Sequence, residues 1–199
     1  MYLADDAGAG ETYQSQLYSL ATDSCIYTVA ESASEYDGEL RIAPVDEDNA
    51  GSTDYYEVQS ISNLTKDPVY VPGKINGLPV KNVVKLTSKY LDRVYEIQLN
   101  EGTEVLEKNS LAGTPLLNKV SLPNSLKEIK ENAFCLVDYV YSKKIAVTYN
   151  GKKAEWDKVV SQSANGWDDG MKTGSTIECL DGIYTLDSRG KWNWTPKTN

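Results

Sequence analysis

Histidine is missing from this 199-residue chain, and its absence excludes several kinds of catalytic site. Without an imidazole there is no Ser-His-Asp or Cys-His nucleophile, and a common ligand of zinc and haem iron is lacking. No apolar run is long enough to cross a membrane, so we expect no membrane insertion within this chain. The three cysteines (Cys25, Cys135 and Cys179) form no CxxC pair, and their count leaves a disulfide and free thiols equally open.

Basic residues are scarce at the beginning of the chain. Residues 1–60 carry 13 acids and only Arg41 as a base, and the whole chain has a net charge of −9. This balance argues against a nucleic-acid partner, because phosphate binding needs clustered Lys and Arg. It predicts a solvated acidic cap, or alternatively an acidic face for a basic partner or a cation. Residues 1–14 lack the basic start of a signal peptide, so an exported protein would be a processed or trimmed form.

Phenylalanine occurs once, whereas there are 14 Tyr and 4 Trp. Tyr and Trp suit half-exposed surfaces, because one end of the side chain is apolar and the other forms hydrogen bonds. Forty per cent of the residues are apolar and a quarter are charged. Such a composition is typical of a globular protein rather than a disordered one.

One segment of the chain recurs at a regular interval. VSLPNSLKEIKENAF begins at Val120, and IQLNEGTEVLEKNSL begins at Ile97. A weaker third register places Val83 at the same interval before Leu106. A period of about 23 residues is typical of solenoid repeats. The matched positions are Ile97 and Val120, Leu99 and Leu122, Leu106 and Ile129, Leu111 and Phe134, and Asn109 and Asn132.

The pattern inside each repeat predicts a short strand, a turn and a second apolar wall. Val120 and Leu122 alternate with Ser121, so their side chains point to one face of a strand. Pro123 ends that strand, since proline cannot donate a hydrogen bond to a neighbouring strand. A single coil cannot bury both walls, whereas stacked coils bury them in one continuous core.

The repeated pattern, V-x-L-P-x-x-L-x-x-I-x-x-N-A-F, resembles the leucine-rich repeats of the BspA-like (Treponema pallidum-type) class. PVYVPGKINGLPVKNV (68–83) looks like the opening segment of that family. VTYNGKKAEWDKVV (147–160), then Trp167 and TIECLDG (176–182), look like its closing unit. The chain departs from the family pattern at Asn100, where a proline is usual, at Ser110-Leu111, which replaces Ala-Phe, and at Cys135, which directly follows Phe134.

We therefore expect a mainly β protein with short helices, built as a short leucine-rich-repeat solenoid of about 23-residue coils. Residues 1–78 would form an acidic, β-rich N-terminal cap, and residues 79–150 would form the coils. Residues 151–199 would form a closing unit and a tail. The cap is needed because an uncovered terminal coil exposes its core and its backbone edge.

Local patterns give further expectations. ETYQSQLYSLA (11–21) favours a short helix, and the alternating residues from Cys25 onward favour a hairpin or small meander with a turn at Asp37-Gly38. In the closing unit, GKKAEWDKVV predicts a short helix, and a hairpin is expected around Asp181-Gly182. The segment 189–199 predicts an exposed or frayed tail. The helical residues expected to face partly inward are Ala154, Trp156 and Val159.

The acidic segment 46–57 partly matches a calcium-binding EF-hand loop. Ala50 stands at position 5, where an oxygen ligand belongs, and the flanking residues predict strands rather than helices. We therefore expect a solvated hairpin loop, with no metal ligand and no cofactor. The residues that match EF-hand positions 1, 3, 6, 9 and 12 are Asp46, Asp48, Gly51, Asp54 and Glu57.

Two further pairs of residues are candidates for catalysis or for ligand binding. Asp168 and Asp169 are compatible with a glycosidase pair, but adjacent acids beside Gly170 are more typical of a solvated loop, and we predict no catalytic residue. Trp192 and Trp194 would share one face of a strand and could stack on sugar rings. The favoured interpretation of that pair is a strand that docks on the body of the protein.

The outward residues of the predicted strands are the candidate binding site. They are polar and of mixed charge, which fits a recognition surface and fits plain solvation equally well. We predict that they line one surface across neighbouring coils. The candidates are Glu96, Gln98, Asn100, Lys119 and Ser121.

The resemblance implies a non-catalytic binding module of a bacterial cell-surface or secreted protein, of a kind abundant in gut and oral species. Its implied role is adhesion to host or neighbouring-cell components. The expected partner is an extracellular protein or glycan, with no nucleic acid. Two alternatives stay open: a carbohydrate-binding accessory module that uses Tyr and Trp, and a structural spacer of a larger surface protein.

Overall fold

The computed structural model describes residues 2–3, 13–18, 25–29, 39–62, 68–86, 94–112, 114–135 and 143–198. Within these ranges the chain forms two β-sheets and one α-helix. The elements are β1 (Tyr2–Leu3), β2 (Tyr13–Tyr18), β3 (Cys25–Val29), β4 (Glu39–Val45), β5 (Tyr55–Ser62), β6 (Val69–Val71), β7 (Lys74–Ile75), β8 (Leu78–Val83), β9 (Glu96–Leu99), β10 (Val105–Leu106), β11 (Lys119–Leu122), β12 (Glu128–Ile129), β13 (Ala146–Tyr149), α1 (Lys153–Gln162), β14 (Thr176–Cys179), β15 (Gly182–Leu186) and β16 (Trp192–Pro196).

The two sheets are the two walls of a β-solenoid. Sheet 1 has the strand order β1-β2-β3-β4-β5-β8-β10-β12, with β7 paired to β8. Sheet 2 has the order β16-β15-β14-β13-β11-β9-β6. Successive coils contribute parallel strands to the sheets, β8, β10 and β12 to sheet 1 and β6, β9, β11, β13 and β14 to sheet 2. The predicted mainly β solenoid is thus confirmed.

Four coils stack along the chain, and we number them in chain order. They span residues 69–86, 96–112, 119–135 and 146–162. The second and third coils keep the predicted period on both walls, because β9 pairs with β11 on sheet 2 and β10 pairs with β12 on sheet 1 at the expected residues.

The other steps along sheet 2 are longer than this period. The step from the first to the second coil contains the added β7, and the step from the fourth coil to the closing unit contains α1 in place of a sheet 1 strand. Inserted elements therefore lengthen single coils without disturbing the pairing of the strands. The residues paired across these longer steps are Val69 with Ile97, Val120 with Val147, and Val147 with Ile177.

Apolar side chains from equivalent positions form columns in the core. On sheet 2, Ile97 pairs with Val120 and both are fully buried. On sheet 1, Val83, Leu106 and Ile129 pair in register, so the weaker third repeat is also real. Each column removes like side chains from water together, which is why one coil would not be stable alone. The remaining predicted matches are Leu99 with Leu122 and Leu111 with Phe134, and all four side chains are buried.

The corners of the coils need special backbone conformations. Asn109 and Asn132, at equivalent places in the second and third coils, both adopt left-handed conformations with φ of 57° and 58°. Asparagine is one of the few residues other than glycine that adopts this region routinely. At the opposite corner, a Cβ at Gly73 would collide with the backbone of Glu101, and one at Gly102 would collide with Gly73. The two glycines therefore let successive turns stack in contact.

The N-terminal cap is an antiparallel meander, β1 to β5, that continues sheet 1. β5 pairs in parallel with β8 and so joins the cap to the first coil. The expected meander is confirmed, whereas the helix expected at 11–21 is wrong, because β2 (Tyr13–Tyr18) is a strand paired between β1 and β3. Backbone pairing with β3 outweighs a weak local helical preference. The turn predicted at Asp37-Gly38 lies outside the described residues.

The predicted closing unit comprises α1, which completes the fourth coil, and the strands β14, β15 and β16. The expected helix is confirmed, with Trp156 and Val159 buried, but Ala154 is exposed and that expectation is wrong. The hairpin around Asp181-Gly182 is confirmed as β14–β15. Most described side chains of the tail expected at 189–199 are exposed, but residues 192–196 are not frayed because they form β16, which pairs with β15. Alternate β16 side chains pack against the body, and this burial holds the strand in place.

The residues after α1 close the open edge of sheet 1. The backbone N–H of Ile129 on β12 donates to Ser163 Oγ at 3.0 Å, and its carbonyl accepts from the N–H of Ala164 at 3.0 Å. The N–H of Asn132 donates to the carbonyl of Gly166 at 3.0 Å. These bonds satisfy the backbone groups that a further strand would otherwise pair with.

Candidate functional site

The outward side of sheet 2 carries four of the five predicted site residues. Glu96 and Gln98 on β9 lie directly beside Lys119 and Ser121 on β11. Thr148 on β13 extends the same row as Ser121. We call these five side chains the strand face. The structure therefore brings the predicted residues of the two coils together on one surface, as the alternation along each strand requires.

Three residues of the strand face form one hydrogen-bonded network. Lys119 Nζ lies 2.9 Å from Glu96 Oε1, and Gln98 Nε2 donates to the same oxygen at 2.8 Å. Partial burial disfavours the charged carboxylate, but the bonds from Gln98 and Lys119 outweigh it and hold the pKa of Glu96 below its ordinary value. The pair therefore keeps both charges, and this part of the face carries no net charge.

Asn100, the fifth predicted residue, lies at the corner after β9. Its Nδ2 donates to the carbonyl of Val71 at 2.8 Å, so the side chain fastens the first coil to the second. Asn100 also lines a shallow groove of about 260 Å³ together with Ser121, Thr148 and Asn150. The groove thus receives polar groups from three successive coils.

Glu101, which the sequence did not single out, organises the same corner. Its carboxylate oxygens accept hydrogen bonds from the backbone N–H of Asn124 at 2.9 Å and of Ser125 at 3.0 Å. Oε1 also accepts from Asn150 Nδ2 at 3.2 Å, two coils away along the stack. Ser125 Oγ in turn accepts from the N–H of Gly102 at 2.9 Å. These charge-assisted bonds fix the wall of the groove.

Ion pairs connect equivalent positions of the second and third coils. Glu104 Oε2 lies 2.9 Å from Lys127 Nζ, and Lys108 Nζ lies 2.6 Å from Glu131 Oε2. Together with the pair on the strand face, three pairs of positions one repeat period apart carry opposite charges. The sequence contained this signal, because each acid stands one period away from a base.

The acidic loop between β4 and β5 is the solvated hairpin loop that the sequence predicted. Asp46, Asp48 and Asp54 each offer a carboxylate oxygen, and these oxygens lie within 4.8 Å of one another. The carboxylates also accept backbone N–H bonds of the loop, among them those from Ala50 to Asp46 and from Glu47 to Asp54. These bonds give the three acids a role in closing the turn.

A second concave feature lies between α1 and the β15–β16 hairpin. It has a volume of about 320 Å³ and its walls are the rings of Trp156, Trp167, Trp192 and Tyr184. We call it the aromatic pocket. Its walls come from α1, the loop after α1, β15 and β16, so no short sequence motif predicts this pocket.

Neighbouring rings pack in a chain from the core to the aromatic pocket. Trp156 meets Trp167 edge to face at 5.7 Å, and Trp167 stacks on Trp192 at 6.2 Å with an interplanar angle of 14°. Phe134 of the third coil also meets Trp167 edge to face, at 6.0 Å. Such aromatic pairs stabilise a structure beyond the area that they bury.

The two tryptophans of β16 have different surroundings. Trp192 lines the aromatic pocket, and its Nε1 donates to Asp168 Oδ2 at 2.8 Å. Trp194 packs against Tyr184 at 4.8 Å and lies under the ammonium of Lys153. The favoured interpretation of the pair, a strand that docks on the body, is confirmed. The two indoles therefore do not form one shared surface on which a sugar ring could stack.

The structure describes two cysteine thiols in the core, and burial makes the Cys179 thiol a poor nucleophile. Cys135 and Cys179 are buried and unpaired. Burial, followed by the nearby Asp181 and Asp157 carboxylates, raises the pKa of the Cys179 thiol to about 11. A thiol with such a pKa is almost entirely protonated at neutral pH and is a poor nucleophile.

Within the described part of the chain, no helix has the length and apolar character needed to cross a membrane. Comparisons with protein-family models, with curated proteins and with solved structures find no match to this chain.

Proposed function

We propose that this chain is a non-catalytic binding module of a bacterial cell-surface or secreted protein, and that it recognises another protein through the strand face. The observation that carries the proposal is the groove beside that face. Asn100, Ser121 and Thr148 belong to three different coils, yet they line one continuous depression. Solenoids bind partners through such surfaces, which are built from equivalent positions of stacked coils.

The chemistry of the strand face suits a polar protein surface. The Glu96–Lys119 pair neutralises itself, so the centre of the face favours no strongly charged partner. Ser121 and Thr148 are short, which lets a partner loop approach the sheet, and their hydroxyl groups both donate and accept hydrogen bonds. Protein interfaces place such polar groups around a centre that is depleted of unpaired charge.

The resemblance of the repeats to the BspA-like leucine-rich repeats supports the same proposal. The residues that carry the resemblance, from Ile97 to Leu111 and from Val120 to Phe134, stack as adjacent coils of the solenoid. On this basis we propose membership of that family and a role in adhesion to host or neighbouring-cell components.

The test is capture of a partner followed by titration of that partner alone. The full chain is immobilised and exposed to an extract of mucus and extracellular matrix, and bound proteins are identified by mass spectrometry. Each captured protein is then purified and its affinity measured. The double variant Gln98→Arg, Ser121→Arg places two positive charges on the strand face, one of them in the groove at Ser121, and Gln162→Arg places one positive charge on the exposed surface of α1. We expect the double variant to bind about tenfold more weakly or worse, a loss of at least ~1.4 kcal/mol, and Gln162→Arg to bind normally.

Equal affinity of the double variant and the parent for every captured protein would remove the strand face from the proposal. If the folded parent captures no protein at all, the structural-spacer alternative replaces the binding module. Far-UV circular dichroism of each variant shows whether a loss of affinity reflects a loss of fold.

A further inference from the structure

The aromatic pocket is a second concave site, separate from the strand face. It lies at the C-terminal end of the stack, between α1 of the fourth coil and the β15–β16 hairpin, whereas the groove is formed by the corners of the second, third and fourth coils. Its volume of about 320 Å³ lies at the low end of the range for small-molecule sites, so it accommodates a compact ligand of one or two rings.

The walls of the pocket require an apolar surface on the ligand. Trp156 and Trp167 are almost fully buried, and Trp192 and Tyr184 are half-buried at the opening. The indole N–H of Trp192 is already donated to Asp168, so Trp192 contributes only its ring to the pocket. A ligand face that carries C–H groups would displace the water that now contacts these rings, and the burial of apolar surface would favour binding.

The polar groups at the rim require a hydrogen-bond donor on the ligand. Asp157 is a carboxylate, and acceptance of bonds from Lys153 and Tyr184 leaves further lone pairs on its oxygens. Ser161 donates its hydroxyl hydrogen to the carbonyl of Lys158 at 2.7 Å, so its oxygen faces a ligand as an acceptor. Both rim groups therefore accept, and the ligand has to donate.

The charges at the rim favour a neutral ligand. The carboxylate of Asp157 would repel an anion. A cationic ligand would have to share that carboxylate with the ammonium of Lys153, which lies 2.5 Å from Asp157 Oδ2. A neutral molecule with an apolar face and hydroxyl donors on its edge meets every requirement, and a pyranose ring has this construction.

We propose that the aromatic pocket binds a neutral sugar ring, stacked on Trp192 and hydrogen-bonded through its hydroxyl groups to Asp157 and Ser161. This site works independently of protein recognition by the strand face. It gives the module a means of binding a glycan at one end of the solenoid while a protein occupies the face of sheet 2.

The test uses a blocking variant that removes no core contact. Ser161 is exposed on α1, and its hydroxyl donates to the carbonyl of Lys158 in the same helix, so Ser161→Tyr fills the pocket mouth without leaving a cavity. Gln162→Tyr adds the same ring at the next, exposed position of α1, which does not line the pocket, and is the matched control. The labelled full-length proteins are compared on an array of neutral oligosaccharides. Soluble forms of the glycans that bind are then titrated while tryptophan fluorescence is recorded.

We expect the parent and Gln162→Tyr to bind the same neutral glycans with a change in tryptophan emission. Ser161→Tyr should lose at least about tenfold in affinity. Glycan binding that survives Ser161→Tyr would overturn the assignment of the site. An array without signal would overturn the proposal, as would a fluorescence response to choline or tetramethylammonium in place of sugars. None of these results depends on the strand face, since Gln98→Arg, Ser121→Arg should bind glycans as the parent does.

Discussion

The second and third coils are the same structure built from two different sequences. Their strands pair in register one repeat period apart, and their buried positions hold similar apolar residues, such as Leu106 and Ile129. Several of their equivalent surface positions carry opposite charges: Glu104 faces Lys127, and Lys108 faces Glu131. A column of the core needs like residues, because each buries the next, whereas a column on the surface is stabilised by complementary ones.

Two neighbouring buried positions are among those that differ between the coils. Ser110 occupies the place of Ala133, and Leu111 occupies the place of Phe134. Among the described residues, Ser110 Oγ has no hydrogen-bond partner although the side chain is fully buried. Phe134 contacts Trp167 of the closing unit edge to face. Leu111, at the equivalent place in the second coil, has no aromatic ring with which to make such a contact. The third coil is therefore the better packed of the two, and the comparison can be tested at these positions.

The largest effect is expected from shortening the two equivalent core residues. Phe134→Ala should lower the free energy of unfolding by about 3–5 kcal/mol, since it leaves a cavity and removes the edge-to-face contact with Trp167. Leu111→Ala should cost about 1 kcal/mol less, because that contact is missing in the second coil. Urea unfolding followed by circular dichroism measures both. A larger loss for Leu111→Ala than for Phe134→Ala would reverse our ranking of the coils.

A smaller effect, of opposite sign in the two coils, is expected from exchanging the small residues. Ser110→Ala should raise the free energy of unfolding by about 1 kcal/mol, because it removes a buried hydroxyl that lacks a partner. Ala133→Ser should lower it by about 1 kcal/mol or more, since it creates the same problem in the third coil. The same urea experiment compares them. If Ser110→Ala destabilises the protein, the hydroxyl makes a favourable contact and the second coil is better packed than we infer.

The smallest effect is expected from the surface charges. Lys127→Glu places two acids side by side and should cost about 0.2–1 kcal/mol at low salt. The double reversal Glu104→Lys, Lys127→Glu should recover most of that loss. Added salt should shrink the difference between the single variant and the parent, because exposed charges are screened. Loss of stability in the double reversal equal to that of the single variant would show that the pair does not align the coils.

The repeat could be predicted because its signal is local and periodic. The match of Asn109 with Asn132 marked two corners at which the backbone is left-handed, and the alternation around Ser121 marked the outward face. The same period also contains the pairing of Glu96 with Lys119, which reasoning from the apolar positions alone did not find.

The features that sequence reasoning missed depend on contacts between distant segments. β2 is a strand because β1 and β3 pair with it, and its own residues give only a weak helical pattern. β16 is ordered because Trp192 stacks on Trp167, which belongs to the loop after α1. The aromatic pocket likewise joins α1 to β15 and β16. No spacing rule links these parts, so a pattern search cannot find them.

The opposite charges of the second and third coils have a consequence for how such a solenoid can grow by duplication. If the third coil alone were copied, Lys127 would stand beside a second Lys127, and Glu131 beside a second Glu131, so that the new junction would carry like charges. If both coils were copied together, each acid would again meet a base at the new junction. Duplication of two coils together therefore preserves the ion pairs between neighbouring coils, even though the structural repeat is a single coil.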